Sequence, residues 1–437
     1  MSKISRYLMI CLVIFMVGCS KPQGESIIPP TGTLHPAIET VTETITSGQT
    51  LSQTTITPEP ASAETDQAPA EPTVNMTQEL AGVPIQLLPA GTDITIRKIQ
   101  MIDKQNGWVI AVGGSETEHI LRTVDGGKTW QDVTPAQPIA SEMTGFIPAN
   151  FSAWDANTAW TIVAGSNLIW TTHNGGVNWD VVPVSFRIMY QALISSLDEN
   201  HAWVFQFIEG GMQHVYTALN RTSDGGNSWE LLLDPYTDST IQGFDKTGAV
   251  FINSQYGWLT RDFRGVDPNV HLNVTRDGGF TWEGLYIPPP PTLPDVFNGG
   301  SCGLFDPHLL STQEGSFRLL CLFFEDDTLK EKNFLYKTTD GGNNWKILNM
   351  PDGDLYYTGN RLYAVSRDIY KSDDGGQNWQ LIRTVNWDGQ FSFIDQNTAF
   401  AVAYDPDDDE YALVKTTDGC SSFSIIMPDL ITSPSIR

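Results

Sequence analysis

One turn motif recurs seven times along this chain of 437 residues. Six copies share the pattern Ser/Thr-x-Asp/Asn-Gly-Gly-x-x-Trp, from TVDGGKTW at Thr123 to SDDGGQNW at Ser372. The seventh copy, TTDGCSSF, has Cys420 in place of the second glycine and Phe423 in place of the tryptophan. The Asp or Asn positions lie 49, 50, 53, 63, 34 and 44 residues apart. A repeat architecture is therefore the first constraint on the fold.

The residue types of this turn suit a tight connection between two strands. Asp and Asn side chains accept hydrogen bonds from backbone N–H groups, and glycine adopts a positive φ without steric cost. The tryptophan then begins the next strand, where its large ring can pack between neighbouring repeats. We therefore assign a structural role, rather than a catalytic one, to the following turn residues: Asp125, Asn174, Asp224, Asp277, Asp340, Asp374, Asp418, Trp130, Trp179, Trp229, Trp282, Trp345 and Trp379.

A second element precedes each turn and completes the repeat. It has a small or polar residue, an aromatic residue or leucine, and then an apolar run, as in Gly107-Trp108-Val109 and Ala202-Trp203-Val204. Aromatic and β-branched residues favour strands, and Gly, Asn and Asp mark the junctions between them. Each repeat therefore predicts four short strands, A to D, with the Asp turn joining strand C to strand D.

Seven four-stranded repeats predict an all-β fold, a seven-bladed β-propeller that occupies residues 81–437. A solenoid is the alternative architecture, but no polar end-capping repeat is visible in the sequence. Because all seven repeats look complete, we expect an extra strand from the apolar stretch Pro84–Leu88 to close the ring.

The first 80 residues predict export, lipidation and a tether. Residues 1–18 combine Lys3 and Arg6 with an apolar run of ten residues, which is too short to span a membrane of about 30 Å. This run leads into Met16-Val17-Gly18-Cys19, which resembles a bacterial lipobox with Cys19 as the acylated residue; a plain secretory signal is the alternative. Residues 19–80 are rich in Thr, Ser, Pro and Glu, which predicts a disordered tether. We therefore expect an extracytoplasmic protein, held on bacterial membrane lipid through Cys19, at the cell surface or on the periplasmic side.

The repeated turn resembles the Asp-box, or BNR repeat, over about residues 100–430. Asp-boxes occur in sialidases, xyloglucan-type glycoside hydrolases, sortilin-like receptors and photosystem II stability/assembly factors. The combination DKQNGW…TVDGGKTW, from Asp103 to Trp130, looks most like the last of these families. That resemblance implies a seven-bladed propeller that acts as a non-catalytic binding or scaffold disk and assists a membrane or surface complex.

A carbohydrate-binding or glycoside-hydrolysing propeller, similar to a sialidase, is the alternative function. The sialidase pattern has a Phe/Tyr-Arg-Ile-Pro motif before the first Asp-box, where this chain has Ile96-Arg97-Lys98-Ile99. The segment Phe186-Arg187-Ile188-Met189 follows the second box and lacks the proline. We therefore expect binding rather than catalysis, and no cofactor.

The strand order predicts two faces with different roles. The A–B turns and the Asp turns share one face, called here the Asp-box face, and the B–C and D–A connections share the opposite loop face. The D–A connections vary most between repeats, and variable loops on a rigid scaffold commonly carry binding sites. The candidate binding residues on this face are Tyr236, Tyr286, Phe297 and Trp387, whose rings would contact a protein partner or a surface glycan.

Charge and cysteine usage narrow the partners. The chain has 25 basic and 51 acidic residues, a net charge of −26, which excludes nucleic acid as a partner because phosphate binding needs clustered Lys and Arg. The acidic runs Glu325–Asp327 and Asp405–Glu410 lack the spacing of a calcium loop, so we interpret them as solvated charge and predict no metal site. Cys302 and Cys321 are close enough to pair between neighbouring strands, and their spacing leaves the pairing open. We expect a monomer.

Overall fold

The computed structural model describes residues 82–83, 85–114, 117–135, 139–140, 148–189, 191–211, 214–243, 245–263 and 271–432. The predicted signal peptide, the lipidation site at Cys19 and the predicted tether lie outside the described residues. Within the described ranges, no helical segment combines the length and the hydropathy that crossing a membrane requires.

Nearly all regular structure in the described residues is β-strand, with one 3-10 turn at Val296–Asn298. Three short strands, β1 (Gly82–Val83), β6 (Ile139–Ala140) and β31 (Asp429–Ile431), flank the repeats, and β1 pairs with β6. The other strands fall into seven units of four strands, each in the order A to D, and units 4 and 5 share one eight-stranded sheet. They are, in unit 1, β2 (Thr95–Met101), β3 (Gly107–Val112), β4 (Glu118–Thr123) and β5 (Thr129–Asp132); in unit 2, β7 (Pro148–Ala153), β8 (Ala159–Val163), β9 (Leu168–Thr172) and β10 (Asp180–Pro183); in unit 3, β11 (Ala192–Ser196), β12 (Ala202–Gly211), β13 (His214–Thr222) and β14 (Glu230–Leu233); in unit 4, β15 (Lys246–Phe251), β16 (Gly257–Phe263), β17 (His271–Thr275) and β18 (Glu283–Tyr286); in unit 5, β19 (Ser301–Leu309), β20 (Gly315–Glu325), β21 (Thr328–Thr338) and β22 (Lys346–Met350); in unit 6, β23 (Asp354–Thr358), β24 (Arg361–Val365), β25 (Asp368–Ser372) and β26 (Gln380–Thr384); in unit 7, β27 (Asp388–Phe393), β28 (Ala399–Asp405), β29 (Glu410–Thr416) and β30 (Ser424–Ile426).

Every unit is an antiparallel meander, and the A strands of successive units meet in ring order. Contacts between A strands run from β7 through β11, β15, β19 and β23 to β27, and β27 also contacts β2. Gln100 on β2 connects the ring back to β7. Its side-chain N–H donates to the carbonyl oxygen of Ala153 at 2.7 Å, and its side-chain oxygen accepts from the Ala153 N–H at 3.0 Å. The predicted all-β propeller is therefore confirmed.

The outer edge of unit 1 is extended by the other end of the chain. β31 pairs in parallel with β5, with Leu430 opposite Trp130, and the Gly91 N–H donates to the carbonyl oxygen of Leu430 at 2.7 Å. Residues 85–90 form no strand, so the predicted closing strand over Pro84–Leu88 is wrong in its described part. The free edge of β5 accepts β31 instead, and the Leu88 backbone N–H donates to the Asp132 carboxylate at 2.8 Å.

The box tryptophans join each unit to the one before it. Trp130 is fully buried in a cluster that includes Phe400 and Leu413 of unit 7, and the Trp179 indole donates to the carbonyl oxygen of Val133 in unit 1 at 2.7 Å. Burial of large aromatic side chains dominates the energetics of a core of this type. The repeats therefore stabilise one another through the same residue that marks each turn.

The connections lie on the two expected faces. A backbone hydrogen bond links the A–B turn to the Asp turn of the same unit, as from the Gly126 N–H to the carbonyl oxygen of Gln105 at 2.8 Å. On the opposite side, Arg367 in a B–C turn pairs with Asp388 after a D–A loop at 3.0 Å. The connections of the described units therefore lie on either the Asp-box face or the loop face.

Candidate functional site

Each Asp-box turn uses its own acidic or amide side chain. In unit 1 the Thr123 hydroxyl donates to Asp125 at 2.9 Å and accepts from the Gly127 N–H at 3.0 Å. Asp125 also accepts from the N–H of Thr129 at 2.9 Å and from its hydroxyl at 2.7 Å. The bond from Thr or Ser to Asp or Asn recurs in the other six turns at 2.8–3.1 Å. In unit 6, backbone and side-chain hydrogen bonds from Asn378 lower the pKa of Asp374 to about 2. The Asp and Asn side chains of the boxes are therefore engaged in hydrogen bonds within their own turns.

The second glycine of each box lies against the preceding unit. A Cβ built on Gly176, where φ is +81°, would lie 2.5 Å from the Cβ of Val133 in unit 1. The same position in unit 3, Gly226, would place a Cβ 2.3 Å from the Thr171 hydroxyl. Cys420 occupies this position in unit 7 with φ +68° and is fully buried. Burial raises the pKa of the Cys420 thiol to about 12, so this cysteine is a packing residue and not a nucleophile.

A basic side chain before the Asp-box forms a second contact between units. Arg122 donates to the carbonyl oxygen of Ala156 at 2.8 Å, and Lys337 donates to the carbonyl oxygen of Gly375 at 3.1 Å. In unit 2 the residue before the box is Thr171, and His173 within the box makes a similar contact. Its Nε2 lies 2.8 Å from the carbonyl oxygen of Gly225. Lys415 holds the corresponding position in unit 7, yet it has no hydrogen-bond or ion-pair partner among the described residues. Its ammonium group instead lies 4.6 Å from the centre of the Phe400 ring.

A pocket of about 460 Å³ opens on the Asp-box face where unit 7 meets unit 1. We call it the junction pocket, and its lining residues are Lys104, Asp395, Gln396, Asn397, Thr398, Lys415 and Thr417. Lys104 comes from the A–B turn of unit 1, and the other residues come from unit 7. Closure of the ring therefore brings together residues about 300 positions apart in the sequence.

The charges in the junction pocket are only partly paired. Lys104 binds Asp395 at 2.8 Å, and the N–H groups of Asn397 and Thr398 donate to the same carboxylate at 2.8 and 2.7 Å. The Lys104 ammonium, followed by these N–H groups, holds the pKa of Asp395 at about 2. Partial burial, and then the neighbouring Lys104 and Lys128 ammonium groups, lower the pKa of Lys415. The pocket thus holds a charge-compensated carboxylate and a lysine crowded by other cations.

Sequence reasoning missed this pocket. A signal was present, because the residue before the Thr or Ser of the box is basic in five repeats: Arg122, Arg221, Lys337, Lys371 and Lys415. That pattern identifies Lys415 as a contact to the following unit, but it does not show that the following unit carries Lys104 at the contact.

The four predicted loop-face residues have different environments. Tyr236 is 57% exposed in the loop after unit 3, and Tyr286 is 59% exposed at the end of β18 in unit 4. The expectation that Phe297 is an exposed contact is wrong, because it is buried in the core cluster shared by units 4 and 5, together with Ile287 and Phe317. Trp387 is half-buried, since it packs on Phe391 and on Phe423, the residue that replaces the tryptophan of the seventh box; the expectation that it is exposed is therefore only partly met. No described contact joins these four residues into one site.

Tyr236 belongs to a local aromatic cluster on the loop face. Its ring lies 5.5 Å from the ring of Tyr216 and 6.0 Å from the ring of Phe186, and we call these three residues the Tyr236 patch. Desolvation and the nearby Glu209 carboxylate raise the pKa of the Tyr236 hydroxyl. Met189, three residues beyond Phe186, is 49% exposed. The patch presents an aromatic surface with a hydrogen-bonding edge, a composition common at protein interfaces.

The remaining cysteines form a buried disulfide between Cys302 and Cys321, which stand directly opposite each other on β19 and β20. The acidic run Glu325–Asp327 is exposed in the β20–β21 turn. Within the described residues, no group of three or more His, Cys, Asp or Glu side chains is arranged to hold a metal ion.

Comparisons with known proteins find one family model and several similar solved structures. Residues 78–250 match the family model described as photosynthesis system II assembly factor YCF48. Among solved structures, the chain is similar to YCF48 bound to D1 peptide, at 17% sequence identity and a TM-score of 0.47, over 78% of this chain and 96% of that chain. It is also similar to YCF48 from Cyanidioschyzon merolae, at 14% identity and a TM-score of 0.44, over 77% of this chain and 99% of that chain. A third similar structure is the AfRom2 CNH domain, at 8% identity and a TM-score of 0.46, over 76% of this chain and 98% of that chain. No curated protein matches the chain significantly. The predicted resemblance to the assembly-factor family is confirmed over residues 78–250.

Proposed function

We propose that this chain is a lipid-anchored, extracytoplasmic propeller that binds a protein partner through its loop face and helps a membrane or surface complex to assemble. The single observation that carries the proposal is the Tyr236 patch. Tyr236 is more than half exposed although two aromatic neighbours fix its position. An exposed tyrosine that is already ordered loses little conformational entropy on binding, so it can contribute a large share of the binding energy.

The disulfide supports the extracytoplasmic location. Disulfides form and persist in oxidising compartments and are rare in the cytosol. Cys302 and Cys321 are almost fully buried, so their bridge is protected from solvent. This agrees with export through the N-terminal segment and acylation of Cys19, both of which remain part of the proposal.

The family match supports the kind of function. The model matched by residues 78–250 describes an assembly factor, and one protein of that name has been solved with a bound D1 peptide. A propeller that holds a polypeptide segment needs a rigid scaffold and an exposed contact surface, and this chain has both. We extend to it the class of partner, a protein, and not the identity of the partner.

Crosslinked co-purification of the full lipidated chain from its native membranes tests the proposal. Tyr236→Ala is the informative variant, because the half-buried Trp387 would also lose packing if it were replaced. Ile425→Ala is the matched control, since Ile425 is 69% exposed on outer strand β30, away from the patch. We expect one membrane complex with the wild type and with Ile425→Ala, and at least about fivefold less of it with Tyr236→Ala.

Equal recovery with Tyr236→Ala and the wild type would refute the role of the patch. Retention on cell-wall or secreted polysaccharide, with no protein partner, would replace the proposal by glycan recognition. Failure of the protein to incorporate labelled fatty acid at Cys19 would refute the lipid anchor.

A further inference from the structure

The interrupted contact at the ring closure points to a ligand site. At two other junctions the basic residue before the box donates to a backbone oxygen of the next unit: Arg122 to Ala156 and Lys337 to Gly375. At the last junction the residue equivalent to Ala156 is Lys104, whose carbonyl oxygen lies beside Gly126. A second lysine at this point repels Lys415, which explains why Lys415 lies over the Phe400 ring without an anionic partner among the described residues.

We propose that the junction pocket binds a small ligand that carries one anionic group, a carboxylate or a phosphate. Lys415 and Lys104 would hold that group from opposite sides, because Lys415 belongs to unit 7 and Lys104 to unit 1. Lys128 adds a third positive charge close enough to affect Lys415. Three clustered lysines are a local exception in a chain with a net charge of −26.

The wall of the pocket sets the size and charge of the ligand. The Asn397 side-chain amide and the Thr417 hydroxyl have no hydrogen-bond partner among the described residues. Both residues line the pocket, so these groups are available to polar groups of a ligand. Asp395 keeps its negative charge at neutral pH and occupies part of the Lys104 ammonium. A second anionic group would approach Asp395 and be repelled, which favours a ligand with one charge over an acidic polymer.

Binding should also stabilise the ring, because the ligand bridges the first and last units. A ligand that binds only the folded state raises the melting temperature increasingly as its concentration exceeds the dissociation constant. Thermal unfolding of the full chain therefore measures the site without knowledge of the natural ligand. The probes are inorganic phosphate and N-acetylglycine, with neutral N-acetylglycinamide as the control ligand, at pH 7 and constant ionic strength.

Three variants give opposite expectations. Lys415→Met should weaken probe binding about tenfold, because it removes the free charge and keeps the side-chain stem against Phe400. Asp395→Asn should strengthen binding severalfold, since it frees Lys104 and retains an oxygen for the N–H groups of Asn397 and Thr398. Lys337→Met is the matched control, because Lys337 has the same place in unit 5 and already donates to the carbonyl oxygen of Gly375.

A dose-dependent rise in melting temperature in the wild type and Lys337→Met, lost in Lys415→Met and enhanced in Asp395→Asn, is the expected result. A response to phosphate alone identifies a phosphate site, and a response to N-acetylglycine alone identifies a carboxylate site. The same shift in all four proteins, no shift with either anion, or an equal shift with the neutral amide would overturn the proposal. The melting temperature of each variant without probe reports any folding defect separately, and isothermal titration calorimetry on the folded variants repeats the ranking independently of stability.

Discussion

Replacement of the second glycine of an Asp-box by alanine tests how tightly the units fit. In Gly176→Ala the new Cβ would lie 2.5 Å from the Cβ of Val133 and 3.2 Å from its carbonyl oxygen. The Cβ of a β-branched residue cannot move without its backbone, so unit 1 and unit 2 must separate locally. Overpacking of this kind costs about 1–3 kcal/mol. Because Gly176 also has φ +81°, alanine adds about 1–2 kcal/mol of backbone strain.

The first glycine of another box separates these two terms. Gly341 has φ +74°, but a Cβ there would meet no atom closer than 3.3 Å. Gly341→Ala should therefore lower the free energy of unfolding by about 1–2 kcal/mol, from strain alone. Gly176→Ala should lower it by about 2–5 kcal/mol, the sum of strain and overpacking. The difference between the two variants measures the fit between units.

Urea unfolding followed by tryptophan fluorescence provides the assay, because many tryptophans are buried between units. Midpoints are compared only where the dependence on urea is the same in both variants, so that a shift reports stability. If Gly176→Ala were no more destabilised than Gly341→Ala, within about 0.5 kcal/mol, the tight contact with Val133 would not contribute to stability.

Three further results are expected. A Cys302→Ala/Cys321→Ala variant should lose about 3 kcal/mol of unfolding free energy, because the bridge closes a loop with a sequence separation of 19; equal stability of this variant and the wild type would contradict this. Asp374→Asn should flatten the loss of stability between about pH 4 and pH 2 in acid titrations: hydrogen bonds from Asn378 lower the folded-state pKa to about 2, so their contribution is present above the unfolded-state pKa and is lost as the pH falls through the folded-state value. Native Cys420 should resist thiol reagents at pH 8, because its pKa of about 12 leaves almost no thiolate, and peptide mapping should show labelling only in denaturant; rapid labelling of the folded chain would be inconsistent with its burial.

The turns and the strand order were predictable because their determinants are local. The hydrogen bonds of an Asp-box lie within five residues, as those from Thr123 and Thr129 to Asp125 do, so the motif alone specifies them. Alternation of four strands then follows from the spacing between boxes, and the face of each connection follows from the strand order. The position of each tryptophan is also local, since each follows its turn at a fixed distance.

Ring closure and loop packing were not predictable, because they depend on contacts between distant segments. Pro84–Leu88 and β31 are both short and apolar, and the choice between them is made by the free edge of β5, which no local pattern reveals. Phe297 was predicted as an exposed loop residue, but the loop after unit 4 places it in the core shared by units 4 and 5. Trp387 is partly covered because the seventh box has Phe423 in place of tryptophan, and the two rings pack 5.4 Å apart.

The junction pocket shows why a repeat protein is best searched for function where its regularity fails. A contact that repeats between units, such as those from Arg122 to Ala156 and from Lys337 to Gly375, belongs to the fold and carries no information about a ligand. At the ring closure the chain keeps the donor, Lys415, but has a second lysine, Lys104, at the position of Ala156. Two cations at one contact lower stability unless an anion compensates their charge, and Asp395 is already paired with Lys104. The opposite effects expected for Lys415→Met and Asp395→Asn on anion binding therefore test whether the junction carries an excess of positive charge. At a purely structural junction, both variants would lose stability, and the rise in melting temperature with anions would be unchanged.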